Sequence, residues 1–147
     1  MEKLKIDADK ISNRAGEYFG NGFHCAEAVA KSVISGMGGD GSLAASHATA
    51  FGGGFGKSHE EACGALSGAL IVIGHYFGRT HPGPDWDKPA ALGADIRNLF
   101  LAQWGTTHCQ TLCDRFGKES QMDCCRDIVR RVAKDLTHLL EGQADSD

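Results

Sequence analysis

The residues of this 147-residue chain best equipped for chemistry are its six cysteines, Cys25, Cys63, Cys109, Cys113, Cys124 and Cys125. A thiolate is both a nucleophile and a soft metal ligand. No C-x-x-C occurs, which excludes a thioredoxin-like pair, a zinc-ribbon knuckle and a C-x-x-C-H haem attachment site. Any cofactor site must therefore be assembled across separate elements. Cys25, Cys63, Cys109 and the Cys124-Cys125 pair each fall near a predicted helix start. The field of a helix N-terminus favours negative charge and lowers a thiol pKa, so these placements suit thiolates. One buried cysteine on an apolar stripe packs as a small hydrophobe; cysteines at four helix starts point to a shared site.

Helical phase sorts the six. At about 100° per residue, Ile128, Val129, Val132, Leu136 and Leu139 average to the direction of Cys125, and Cys124 lies about 100° away. Cys63 is in line with Leu66 and Leu70, and Cys25 heads a Val29/Val33 stripe. Cys109 and Cys113, one turn apart, can face one site, with Cys109 at the helix start. Cys25, Cys63, Cys109 and Cys125 are thus expected to face inward, with Cys113 and Cys124 in reserve. His59 stands four residues before Cys63, on the same predicted face, and offers a base–thiol pair or mixed metal ligation. A solvent-facing first-turn histidine is the plainer alternative. His24 and His108 each precede a cysteine, while His47, His75, His81 and His138 show no partner pattern. No Ser/His/Asp order and no H-E-x-x-H occurs, which leaves hydrolase and metalloprotease chemistry with little support.

The elements that must position these thiols read as helices almost throughout. Leu4, Ile11, Ala15 and Tyr18 share a face that ends at Gly20 and Gly22; Cys25, Val29, Val33 and Met37 mark the next helix, up to Gly36–Gly39. Ser42 is expected to cap a short Ala-rich helix to about Thr49. Ser58 and Glu61 have the spacing of a capping box, which predicts a helix from Ser58 to Gly78 with Cys63, Leu66, Leu70, Ile73 and Phe77 on one stripe. Three prolines make Arg79–Pro89 a loop or a helix start, and a helix is expected from about Trp86 or Lys88 to Trp104. Thr107 begins a short helix ending at Gly117, and Ser120 or Asp123 opens a last long one. Residues 142–147 are expected to fray. No segment alternates with the period of a strand. The expectation is an all-α compact bundle of about five to seven helices, residues 1–147 forming one domain.

Composition narrows the function. Hydrophobic residues are 41% and charged residues 23%, ordinary globular usage. A net charge of −4 without a basic tract argues against nucleic acid. The longest apolar stretch, Ala62–Gly74, is shorter than the ~18 residues a membrane span needs. No apolar run follows Met1, so no export signal is expected and the location is read as cytoplasmic. Glycine is 20 of 147 residues, about twice the usual ~7%. The Gly52–Gly56 run leads into Gly56-Lys57-Ser58, but Phe51 stands where a P-loop needs its first glycine, so a tight turn or crossing is expected there rather than a phosphate cradle. Gly64 and Gly68, with Gly74 and Gly78 beyond, give one helix a small-residue face for a neighbouring backbone or for a two-fold homodimer.

Cys63-Gly-Ala-Leu-Ser-Gly68 fits C-G-A-x-x-G. Together with Cys25-Ala26, Trp104-Gly105 ahead of Cys109, and Cys125 ahead of Ile128-Val129, it resembles the C-GCAxxG-C-C family of small redox-active proteins. The resemblance runs from about Gly20 to Ala133 and implies Cys25, Cys63, Cys109 and Cys125 as the redox or ligand set. His24, where relatives usually carry Asn, and the additional Cys113 and Cys124 are departures. A similar cysteine domain accompanies the haems of split-Soret cytochromes, with thiols that look like an iron–sulfur site; no haem motif is present here. The leading expectation is an electron-transfer protein whose cofactor-binding and metal residues Cys25, Cys63, Cys109 and Cys125 hold a 2Fe–2S cluster, with Cys113, Cys124 and His59 in reserve. The alternatives are a metal-free thiol–disulfide redox protein and a zinc-stabilised binding bundle. A redox partner protein is expected; an electron carrier fits better than a hydrolase or transferase.

Overall fold

The computed structural model describes residues 5–144. Its elements in order are α1 (Ala8–Gly20), α2 (Cys25–Gly36), α3 (Gly41–Ala48), a 3-10 turn (Thr49–Phe51), α4 (Gly64–Phe77), α5 (Asp87–Trp104) and α6 (Cys109–Ala144). The fold is all-α: among the described residues the one β-type pairing is an isolated bridge between Ala62 and His108. No helix of the described residues is long and apolar enough to cross a membrane.

The buried centre is α2. Ala26, Ala28, Val29, Ala30, Val33 and Ile34 are fully covered, because α2 packs against α1, α3, α4 and α6. Its alanines let several neighbours approach at once, and Val29, Val33 and Ile34 fill the space between them. On α4, Gly64 and Gly68 face the first turn of α2: a Cβ on Gly64 would strike the Cys25 sulfur, and one on Gly68 the Ala26 carbonyl oxygen. The small-residue face is therefore filled inside the subunit. What remains of it outside is Gly74, with nothing within 4 Å of its missing side chain, near the exposed Leu70.

Several boundaries differ from the sequence expectation, each for a local physical reason. Asp40, not Ser42, caps α3 by accepting from the Leu43 N–H at 3.1 Å. Leu70 is 46% exposed rather than core, because the start of α4 is rotated by its seat on α2 so that Ala65, Leu66, Ala69, Val72 and Ile73 face inward. The predicted capping box of Ser58 and Glu61 does not form, and α4 begins six residues later, with Cys63 as its N-cap. Positive φ at Phe55, Lys57 and His59 (61° at His59) unwinds this stretch. Ser58 instead donates to the Gly54 carbonyl at 2.6 Å and accepts from the Glu60 N–H at 3.2 Å. The backbone of 59–63 is engaged with the start of α6, a tertiary pairing that outweighs local helix preference. At the C-terminal end, α6 is interrupted only at Gly117 (φ 75°, ψ 159°), so neither Ser120 nor Asp123 opens a helix, and Cys124 and Cys125 sit about two turns into the second segment. Helix extends through 142–144. Leu4 and residues 145–147 of the expected tail lie outside the described residues.

Candidate thiol site

Two of the cysteines are placed by the same device. Cys25 is the first residue of α2 and Cys109 the first of α6, and each follows a histidine. His24 Nδ1 accepts from the Glu27 N–H at 3.3 Å, and its Nε2 bonds the Thr49 carbonyl at 2.8 Å. Glu27 completes a capping box by accepting from the His24 N–H at 3.1 Å. His108 repeats the arrangement, with Nδ1 accepting from the Thr111 N–H at 3.3 Å and Nε2 on the Glu60 carbonyl at 3.0 Å. Histidine thus does the work of a polar N-cap at both starts, satisfying a free backbone donor. The adjacency to cysteine was visible in the sequence; the capping role was not, since histidine is not a usual cap.

Cys63 enters from the loop ahead of α4. Its N–H donates to the Thr107 carbonyl at 2.7 Å, Cys109 N–H to Glu61 at 2.9 Å, and Gln110 N–H to His59 at 3.0 Å. These bonds strap the 59–63 segment to the start of α6. Gly54 makes room for the crossing: a Cβ there would lie 2.7 Å from Cys109 Cβ and 2.8 Å from His59 Cα.

The result is one cavity of about 360 Å³, whose wall includes Cys25, Cys63, Cys109, Cys113, Cys125 and His59. The four thiols expected to face inward do so together, and Cys113, expected in reserve, joins them. Cys124 is not among the lining residues. The one-turn spacing of Cys109 and Cys113 was the signal for the fifth thiol. His59 does not share a helical face with Cys63, because residue 59 is not helical; its Nδ1 lies 3.4 Å from Cys109 Sγ instead. One ligand atom from each of His59, Cys109 and Cys113 lies within 4.8 Å of the others. Nothing in the sequence pairs residues 59 and 109.

The thiols are not electrostatically alike. Cys25 is lowered to about 4 by hydrogen bonding from the Cys63 thiol, with His24 and the Gly53 N–H adding to it against the cost of burial. Cys63 moves the other way, well above the ordinary thiol value, because it serves as the donor to Cys25 and is buried. Burial, then the neighbouring Cys113, pushes Cys109 up to about 12. Cys125 is also pushed up to about 12, by burial and then Cys113. Placement at helix starts was expected to favour thiolates generally; only Cys25 follows that expectation, and Cys125 is not at a start. The contact with Cys25 also raises the pKa of His24. All six cysteines are free thiols.

Chemically, the cavity wall offers five thiols and the imidazoles of His59 and His24, the latter with both ring nitrogens engaged by Thr49 and Glu27, and it contains no Asp, Glu, Lys or Arg. Such a donor set selects thiophilic metals and iron–sulfur clusters over hard cations. Residues 23–139 match a family model described as "Putative redox-active protein (C_GCAxxG_C_C)". No curated protein and no solved structure matches the chain.

Proposed function

The chain belongs to the C_GCAxxG_C_C family, and from that premise we propose that it is an iron–sulfur electron-transfer protein. The observation that carries this reading is the convergence of Cys25, Cys63, Cys109 and Cys125, with Cys113 beside them, on one cavity whose wall has no Asp, Glu, Lys or Arg. A single disulfide would need two thiols, and a cavity with five is built for more than one metal–sulfur bond. The four expected residues are the proposed ligands of a 2Fe–2S cluster. When bound, such a cluster supplies a one-electron couple. The chain's own residues hold and tune it: helices α2 and α6 point their N-termini at the site and offset part of the anionic charge. The Gly53 and Ala65 N–H groups bond the Cys25 and Cys63 sulfurs, and such bonds shift a cluster's potential. Anaerobic purification followed by iron, sulfide and zinc analysis is the test. About two iron and two sulfide per chain are expected, the stoichiometry of this cluster class. Colourless protein with stoichiometric zinc ends the electron-transfer reading.

One observation favours a second reading. Cys25, held as a thiolate with the buried Cys63 thiol donating to it, has the relationship of an attacking and a resolving thiol. In a metal-free thiol–disulfide protein, Cys25 sulfur would attack a substrate disulfide, and Cys63 would displace the mixed disulfide and release the second substrate thiol. Metal-free protein that loses two thiols on mild oxidation, with Cys25 and Cys63 in one bridge by peptide mapping, would establish it.

A further inference from the structure

One corner of the cavity is organised differently from the rest. His59 comes from the left-handed loop before α4, while Cys109 and Cys113 come from successive turns at the start of α6. His59 Nδ1 and Cys109 Sγ are 3.4 Å apart, and a ligand atom from each of the three residues lies within 4.8 Å of the other two. Their backbones are fixed relative to one another. His59 donates its N–H to the Gly53 carbonyl at 2.9 Å and accepts from Gln110 N–H at 3.0 Å, while Cys109 N–H bonds Glu61 at 2.9 Å. A non-glycine residue in the left-handed region costs of order 1 kcal/mol or more, and it persists where its surroundings hold it there. Here the surroundings direct an imidazole at two thiols. His59 and Cys113 both lie outside the four-cysteine set.

We propose that His59, Cys109 and Cys113 form a mononuclear site for a single borderline-soft divalent cation of the zinc class, sharing Cys109 alone with the four-thiol set. Two sulfurs and one imidazole nitrogen are three of the four donors of a tetrahedral zinc centre, and the fourth position is open to water from the cavity. Binding releases one proton from each of the two thiols to solvent, leaves both sulfurs as thiolates, and changes no oxidation state. Because Cys109 also belongs to the proposed cluster ligands, the site operates in the cluster-free chain. Occupation of the corner and of the cluster site are mutually exclusive. Zinc at this corner would lock the 59–63 strap to α6.

The full-length chain, reduced and freed of metal under anaerobic conditions, is titrated with cobalt(II) as the spectroscopic probe for zinc. One equivalent is expected to give visible bands of a tetrahedral ion and a sulfur-to-metal charge-transfer band sized for two thiolates, all displaced by zinc. His59→Asn, which tolerates the left-handed backbone, should weaken binding by at least the ~10–100-fold that loss of an outer-shell partner alone costs. Cys113→Ser, on the half-exposed face of α6, should do the same, and it carries the test where circular dichroism shows that His59→Asn alters the loop. Cys124→Ser, outside the cavity wall, should bind cobalt as the parent does. Cobalt binding that survives both His59→Asn and Cys113→Ser, or that is lost in Cys124→Ser, overturns the assignment, as does failure to bind at all. Iron and sulfide analysis of the purified parent remains a separate readout: their absence beside His59-dependent cobalt binding ends the cluster reading alone.

Discussion

Cys25 opens α2 behind His24, and Cys109 opens α6 behind His108; the two histidines cap their helices through the same atoms. Yet the first thiol is drawn down to about 4 and the second pushed up to about 12. The helix field cannot account for the difference, since it acts on both and is worth ~0.3–1 kcal/mol at a typical exposed start, less than one pKa unit. Tertiary neighbours decide. Cys25 meets a thiol that donates to it, the His24 imidazole and a backbone N–H, whereas at Cys109 burial and Cys113 prevail even with the His59 imidazole 3.4 Å away. A local signal places a thiol; what packs around it sets its charge.

The pH dependence of alkylation breaks this comparison most directly. In the reduced, cluster-free chain, Cys25 should react at a nearly constant rate from about pH 6 to 9 and slow only as the pH nears about 4. Cys109 should accelerate about tenfold per pH unit across the same range, since its thiolate fraction follows a pKa of about 12. The contrast lies in the slope, because a low-pKa thiolate is intrinsically the weaker nucleophile. Folding lowers the Cys25 pKa from near 9, so its thiolate favours the folded chain. That contribution is complete above about pH 9 and drains away as the pH falls toward about 4. Parallel slopes at Cys25 and Cys109, read by mass-spectrometric peptide mapping, would refute the electrostatic assignment.

Two glycines sharpen the comparison by attacking its halves separately. In Gly64→Ala the added methyl collides with the Cys25 sulfur and lies 3.3 Å from the Ala26 nitrogen, forcing α4 off the start of α2. In Gly54→Ala the methyl meets Cys109 and His59, at a backbone with φ 65°. Each should cost ~1–3 kcal/mol from overpacking, with the left-handed strain added for Gly54→Ala. Urea unfolding measures the cost. Gly64→Ala should disturb the alkylation profile of Cys25 and spare that of Cys109, and Gly54→Ala should do the reverse. Disturbance of both thiols by either substitution would mean that the cavity responds as one body.

The same contrast explains what could be read in advance. Periodicity and capping signals put a helix in each of the six helical stretches of the described residues, with α6 expected as two helices rather than one interrupted at Gly117. The phase argument turns Cys125 inward and Cys124 to the edge of the face, as the cavity wall has them. The family resemblance agreed with the phase argument on the four inward cysteines. The 58–63 segment was misread because Ser58 and Glu61 have the right spacing for a capping box while the competing partners, Thr107 to Gln110, lie almost fifty residues away. Spacing alone likewise pairs His59 with Cys63, four residues on, while its structural partner is Cys109. Cys113 shares a helical face with Cys109, and that face, not nearness to the helix start, brings it to the cavity. Gly64 and Gly68 were read correctly as a close-approach face, but spacing does not say whether the backbone that fills it belongs to the same chain.

The smallest expected effect separates capping from charge. Asparagine is at least as good an N-cap as histidine, so His24→Asn and His108→Asn should each leave stability within about 1 kcal/mol of the parent, inside the range that cap exchanges span. The chemistry at the following cysteine should not respond equally. His24 contributes to the lowered Cys25 pKa, after Cys63, so His24→Asn should move the acid-side break of Cys25 reactivity upward while leaving Cys63 to hold most of the shift. His108 has both ring nitrogens engaged with Thr111 and Glu60, and His108→Asn should leave the steep profile of Cys109 as it was. An unmoved break in His24→Asn would assign the thiolate to Cys63 and the Gly53 N–H without the imidazole. A flattened profile in His108→Asn would show instead that the cap histidine governs its cysteine after all, and that Cys25 and Cys109 differ in degree rather than in kind.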